Sequence, residues 1–495
     1  MIDKLIVTNR AALRAKYGAT GFSRVGDALR SLVEADRKRG LVSKVAFLDV
    51  DVDDHRGTKR AIDALFRTES PDYVMIVGAP DVVCHQPLDN PLFDPPDDPD
   101  RYAWSDLPYA SDSPHSRDVA DFSGPTRVVG RLPDLVGATQ PGQAAHLIRL
   151  IDAAMRYRRL APDAYARYFA LSARSWHRST ERNLFAIFGH DDHLNTSPPH
   201  GPRFRDALRA RAHLINCHGD EGSDEFLGQY YQRYPTALST KAIDRRIAKG
   251  TVVAAECCYG AQLYNAGLIG TDIPICQSYL RQGAYGFFGS TTIAYGDSRA
   301  LDAADLIVQF FWLAVLDGAS LGRAALLARQ RYVRENADLS PMDLKTLAQF
   351  VLLGDPSLHP IEMPEATRDV DGVDAPENRR VRRKERRAKL AVDGRHLRET
   401  RPTASRGRPL RDVPHPVQRT LETIAKETGI ASPERFRVFS VKRRGKTIID
   451  AAIVPSHYFV AVRKPSNAGP GPHAIAVVAK QVNGRIVDVR TLEQR

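Results

Sequence analysis

The chain has 495 residues, 43% of them hydrophobic, with a formal net charge of +12 at pH 7. That length and apolar content suffice for two or three packed domains. The longest uninterrupted apolar run, Phe310 to Leu316, is too short to span a membrane, and five cysteines, two of them adjacent, make a poor disulfide framework, so a cytoplasmic enzyme is expected.

From the N-terminus, one short apolar run, Leu5-Ile6-Val7, is followed by scattered Arg10, Arg14 and Lys16, which is not the pattern of a signal peptide. Buried strands are predicted at Leu5–Thr8, Val45–Val50, Tyr73–Val77, Leu184–Phe188, Leu214–Asn216, Val252–Ala255 and Ala284–Phe288. Helical patterns alternate with them, as at Val25–Lys38 and Ala144–Tyr157, and a late helical layer covers Leu306–Leu316 and Leu321–Val333. The segment Asp89–Asp112, carrying Asp94, Asp97, Asp98, Asp100 and Asp106, reads as an exposed loop that matches no defined calcium-loop spacing. His190-Asp191-Asp192-His193 reads as a polar loop at a strand end.

Two of the predicted strands end in chemistry. One runs into Cys217-His218-Gly219, and about forty residues later another runs into Glu256-Cys257-Cys258-Tyr259-Gly260. In an open α/β sheet the crevice lies past the carboxyl ends of the strands, where both motifs fall. A thiol with a pKa near 8.5 is only a few per cent ionised at neutral pH and needs a base; an imidazole supplies one and can later protonate a leaving amine. Zinc ligation is the competing use of these residues, but structural zinc pairs are spaced two to four apart on turns, whereas these adjoin at strand ends. No metal site is therefore assigned.

The arrangement resembles the caspase/gingipain clan of cysteine peptidases, whose signature is an apolar strand followed by His-Gly and a second followed by the nucleophilic Cys with Gly close behind. Val129-Gly130-Arg131-Leu132-Pro133, Gly283 to Ser290 and Leu353 to Leu358 are similar to blocks of gingipain-like domains, so the resemblance spans roughly residues 70 to 362. It implies a caspase-like α/β fold: a mostly parallel sheet with helices on both faces, preceded by a smaller α/β subdomain. It also implies His218 as acid and base, and an oxyanion hole made by the amides of Gly219 and of the nucleophile. With Gly three positions after the nucleophile, as in gingipains, the nucleophile is Cys257; with Gly two positions after, as in caspases, it is Cys258. Strand alternation sends the two side chains to opposite faces, so only one reaches the cleft. No cofactor is expected, calcium being the one ion the resemblance brings in, since relatives include calcium-stabilised enzymes.

Asp220, Glu221, Asp224 and Glu225 follow the His-Gly motif and Glu256 precedes the cysteines, which predicts a negative cleft and a preference for Arg or Lys before the cut. Because the strand after the cysteines lines the pocket in the wider clan, Ser290 and Tyr295 join Glu256 and Asp220 as candidate substrate-binding residues.

The charge surplus lies elsewhere. Residues 368–495 hold 29 Lys and Arg against 14 Asp and Glu, densest from Arg379 to Arg387. The expected organisation is an N-terminal subdomain (1–180), a catalytic domain (181–365), a basic disordered linker (366–415) and a small α+β domain (416–495). In that last domain a helix at Val417–Lys426 precedes strands at Phe436–Val441, Thr447–Ile453, Tyr458–Val462 and Ile475–Val478, then an Asn483-Gly484 hairpin turn before Ile486–Val489. The sequence thus predicts a cysteine endopeptidase acting on proteins or peptides, with 379–411 read first as a solvated spacer and second as a segment that binds nucleic acid or an acidic protein. The alternative is a catalytically silent caspase-like scaffold whose basic region binds nucleic acid.

Overall fold

The computed structural model describes residues 2–495 apart from 96, 364–375, 412, 443–455 and 465–473. The first layer elements are β1 (Lys4–Asn9), α1 (Arg10–Lys38), β2 (Ser43–Leu48), α2 (His55–Glu69), β3 (Tyr73–Val77), β4 (Val128–Leu132) and α3 (Ala144–Met155). They are followed by β5 (Tyr168–Ala173), α4 (His177–Phe188), β6 (Leu194–Ser197), β7 (Ala212–Asn216), β8 (Val252–Ala255), β9 (Gly286–Ser290) and the short β10 (Tyr295–Gly296). Helices α5 (Ala304–Leu316), α6 (Leu321–Glu335) and α7 (Pro341–Gln349) then lead into β11 (Phe350–Gly354).

Ten of these strands form one sheet in the order β2-β1-β3-β4-β11-β9-β8-β7-β5-β6. Every pairing is parallel except β9 with β11, so the fold is the mostly parallel α/β sheet that the alternating apolar runs predict. Two hydrophobic cores cover its faces. One gathers α1 and α3; the other gathers α4, α5, α6 and α7, where Phe310, Phe311 and Trp312 are almost wholly buried. Full burial of side chains of that size stabilises by roughly 1.5–3 kcal/mol each. At the start of β1 the buried Lys4 ammonium pairs with Asp36 (2.6 Å) and with Asp355 (2.8 Å) of the Leu353–Leu358 block, tying β1 to the end of β11.

Four expectations differ from what is observed. Leu184–Phe188 is not a strand: it is the last part of α4, whose buried Thr180, Asn183, Leu184 and Ile187 recur at helical spacing and whose end is capped by Gly189 at φ 80°. The sheet runs unbroken across the expected boundary at residue 180, since β5 precedes that residue and pairs with β6 and β7 beyond it. The aspartate-rich segment 89–112 is largely packed rather than exposed, because its carboxylates find partners: Asp98 pairs with Lys345 (2.5 Å), Asp106 with Arg131 (2.6 Å), and Asp100 accepts from the Tyr259 hydroxyl (2.9 Å) and the Ile293 amide (2.8 Å). Finally, the basic stretch expected as a disordered linker is helical as α8 (Pro376–Thr400); Arg383 pairs with Asp3, and Arg395 and Arg398 with Asp112, which gives the helix surface a docking site.

The rest of the chain folds as α9 (His415–Thr428) and antiparallel strands β12 (Arg437–Lys442), β13 (Ser456–Arg463), β14 (Ile475–Val482) and β15 (Arg485–Gln494), with Asn483 and Gly484 both at positive φ in the β14–β15 turn. The strand expected at Thr447–Ile453 lies outside the described residues. This second sheet does not close on itself. Its edge strand β15 pairs with β10, so the order β10-β15-β14-β13-β12 carries the small domain onto the main one. No helix among the described residues is long and apolar enough to cross a membrane.

Candidate functional site

The ends of β7 and β8 lie side by side, with Ala255 of β8 opposite Ile215 of β7, and the residues past each end face one crevice. A Cβ on Gly219 would fall 1.8 Å from the Cys258 carbonyl oxygen, so the approach of the two motifs requires glycine there. Tyr259, at φ 53°, sits in left-handed backbone that a bulky residue rarely adopts, in the turn directly after Cys258.

The two adjacent thiols part company as alternation predicts. Cys257 Sγ turns into the α1/α3 core and lies 3.7 Å from the Ile215 carbonyl oxygen. Cys258 Sγ accepts from the Ala294 amide at 3.1 Å and lies 3.4 Å from the Ala294 carbonyl, on the opposite face. Burial pushes both thiols above their ordinary pKa. Cys217, also fully buried, packs under Leu171 in the same core as Cys257.

His218 is buried, with its ring against the Trp176 indole (centroids 4.2 Å apart) and the Tyr234 ring. Its Nε2 lies 2.8 Å from Gln229 Oε1. The Gln229 amide nitrogen is fixed by the Tyr231 carbonyl and the Tyr234 hydroxyl, so its oxygen faces the ring and His218 Nε2 donates. In the neutral ring this leaves Nδ1 as the basic nitrogen.

The crevice holds the end of β15. The Arg495 carbonyl oxygen accepts from the Cys258 amide at 3.1 Å and from the Gly219 amide at 3.4 Å. The Arg495 amide donates to the Ala294 carbonyl (2.9 Å), and Gln494 and Glu493 pair with Tyr295 and Gly296 in antiparallel register. The Arg495 side chain is fully buried. Its Nη2 reaches both carboxylate oxygens of Asp305 at 3.1 Å and the Asp297 carbonyl at 2.6 Å, while the guanidinium lies 4.4 Å over the Trp176 ring. A Cβ on Gly296 would come within 2.4 Å of that guanidinium, so glycine at this position opens the pocket.

Behind Asp305 stands Glu256. Burial first, and then the Asp305 charge, push the Glu256 carboxyl well above the carboxylate range, with Arg495 opposing; burial also raises Asp305, again with Arg495 opposing. The Glu256 carboxyl, pushed up further, accepts from Asn183 Nδ2 at 2.9 Å, while Asp305 is the carboxylate that faces the guanidinium.

Of the residues singled out from sequence, Gly219 and Cys258 border the Arg495 segment through their backbone amides, His218 shares the Trp176 ring with Arg495, and Glu256 lies beside Asp305. The thiols of Cys257 and Cys258 are both fully buried, in the cores on opposite faces of the sheet. Asp220 is exposed and binds the Glu221 amide, while Asp224 and Glu225 hold Thr240 and Thr236, so the acid of the pocket is Asp305 and not the run after His-Gly. Ser290 is turned to the Thr292 carbonyl, and the Tyr295 hydroxyl points away to Asp98, leaving Tyr295 to contribute its backbone. Asp305, Trp176, Asp297, Gly296 and Gln229 were not singled out. The helical spacing of Trp176, Ser179 and Asn183 along α4 and its approach is the signal that could have found the pocket wall. Among the described residues, no group of three or more His, Cys, Asp or Glu is arranged to hold a metal ion.

No protein-family model matches this chain, and no curated protein matches it. Among solved structures, one named "Structure of Protease" aligns with 99% of this chain and 97% of its own, at 13% identity and a TM-score of 0.43.

Proposed function

We propose that the protein is a cysteine endopeptidase that cuts after arginine, with Cys258 as nucleophile and His218 as acid and base. One observation carries the reading: an arginine lies in the crevice with its carbonyl oxygen on two backbone amides and its guanidinium on a buried carboxylate. Two amides converging on one carbonyl oxygen, where negative charge develops on attack, are what acyl transfer requires. One of the two belongs to Cys258, which favours it over Cys257 as the attacking residue.

In this mechanism the Cys258 thiol passes its proton to His218 and the sulfur forms a bond to the carbonyl carbon. The oxygen takes the charge between the Gly219 and Cys258 amides. Collapse breaks the C–N bond, and the amine leaves with the proton from the imidazolium. A water then attacks the thioester, its proton going to His218, and releases the arginyl acid and the thiol. Gln229 serves as a positioning residue that holds the His218 tautomer, and Trp176 links the two halves of the site by contacting both the imidazole and the arginine. Arginine suits the pocket better than lysine, because its planar guanidinium stacks on the Trp176 indole while Nη2 reaches the Asp305 carboxylate and the Asp297 carbonyl.

The test is a panel of peptide amides differing only in the residue before the cut, assayed with an Arg495→Ala protein, in which the chain's own arginine is removed from the pocket, and with the same protein carrying Gly296→Ala. Arginyl peptides are expected to lead, lysyl ones to trail by tenfold or more, and Gly296→Ala to lower arginyl kcat/KM at least tenfold while leaving the fold intact by circular dichroism. Equal rates for neutral and basic residues in both proteins would contradict the reading.

A further inference from the structure

The occupant of the crevice is part of the chain itself. Resting on the arginine-directed peptidase reading, we propose that Leu492-Glu493-Gln494-Arg495 is a built-in substrate mimic that holds the enzyme inactive until the small domain carrying it moves away.

The segment meets each demand a substrate would meet. It adds as an antiparallel strand beside β10, the mode by which sheet edges bind extended peptides. Arg495 fills the acidic pocket, Glu493 accepts from the Trp176 indole at 2.7 Å, and Leu492 is fully buried. Gln494 is clasped from the other side, its amide donating to the Ala474 carbonyl and its Oε1 accepting from the Ala474 amide. β15 therefore stands between β10 of the main domain and β14 of the small one, and no free peptide can take its place while it stays.

The small domain is fastened by an apolar face and by ion pairs around it. Phe439, Tyr458, Val460, Val462 and Val478 are buried in the same core as α5, α6 and α7. Around that face Arg490 reaches Asp302 (3.1 Å), Lys480 reaches Asp338 (2.9 Å), and Arg435 reaches both Asp94 (2.8 Å) and Asp97 (2.5 Å). Reversing the charge of Arg435 sets it against two carboxylates at once and so weakens the docking from outside the crevice. Tethering keeps the mimic at an effective concentration in the millimolar range, which suffices to exclude a dilute substrate. The side chains that contact the main domain describe the substrate class: arginine before the cut and, two residues ahead of it, an acidic residue that accepts from the Trp176 indole.

The experiment compares hydrolysis of an arginyl peptide amide by the full chain, by Arg495→Ala and by Arg435→Glu, and adds a synthetic peptide of residues 488–495 to each. Arg495→Ala removes the anchor inside the pocket, and Arg435→Glu loosens the domain from outside the crevice. Both are expected to raise kcat/KM at least tenfold over the parent, and the peptide is expected to inhibit both competitively. Parent and variant rates within twofold of one another, with no inhibition by the peptide, would overturn the inference and leave the peptidase reading standing. Failure of all three proteins to hydrolyse the amide or to react with an arginyl chloromethyl ketone would overturn both.

Discussion

Replacing Cys258 with Ala is expected to lower kcat by roughly five to six orders of magnitude, as removal of a nucleophile does when it acts as a unit with its base. His218→Ala should cost about as much, and the double variant no more than either alone, because each substitution already disables the same step. Cys257→Ala is the internal control. Its thiol faces the α1/α3 core and approaches the Ile215 carbonyl, so its loss should lower stability by about 1 kcal/mol, in the range of small core truncations, and leave kcat/KM within a few-fold of the parent. Single-turnover assays on the four variants and the parent check this. A Cys257→Ala protein that is dead while Cys258→Ala still turns over would reverse the assignment.

The second large effect is expected at Asp305. Removing one partner of a buried, hydrogen-bonded charge pair costs 2–5 kcal/mol, so Asp305→Asn should lose roughly 30- to 5,000-fold in kcat/KM on arginyl substrates. Glu256→Gln should lose much less, since burial and the neighbouring Asp305 charge favour the neutral form of Glu256, which an amide preserves. The pH profile follows from the same pair. Burial raises the Asp305 carboxyl, and the charged form is the one that pairs with arginine. As pH falls through that raised value the pair is lost, so arginyl kcat/KM should decline with an acid midpoint above the ordinary carboxylate value of about 3.9. In Asp305→Asn that limb should vanish. Profiles that coincide for parent and variant would remove Asp305 from substrate recognition.

The reacting half of the site was legible because it lies on the most regular part of the chain. Short apolar runs such as Val252-Val253-Ala254-Ala255 mark parallel strands, and in such a sheet the residues past their ends must share an edge. The two readings of the cysteine pair could not be separated from spacing alone, since each family pattern places Gly differently; the proposal of Cys258 rests on its amide, which faces the Arg495 carbonyl. The specificity half was not legible. Its parts come from α4, the turn before α5 and the first turn of α5, over a hundred residues apart, and nothing local marks Asp305, which reads as an ordinary acidic residue at a helix N-terminus. Taking Leu184–Phe188 as a strand hid the wall that carries Trp176, Ser179 and Asn183. Acidic residues beside the motif drew attention to Asp220 and its neighbours, yet solvent and local hydroxyls satisfy them. The polar end of β15 gave no sign that a strand of one domain completes the crevice of another, because that pairing is set by tertiary docking alone.

The most direct measurement is reaction of the Arg495→Ala protein with an arginyl chloromethyl ketone, followed by peptide mapping of the modified residue by mass spectrometry. The account predicts a single label on Cys258, absent in His218→Ala and slowed by free arginyl peptide. A label on Cys257, on Cys217 or on no cysteine would contradict it.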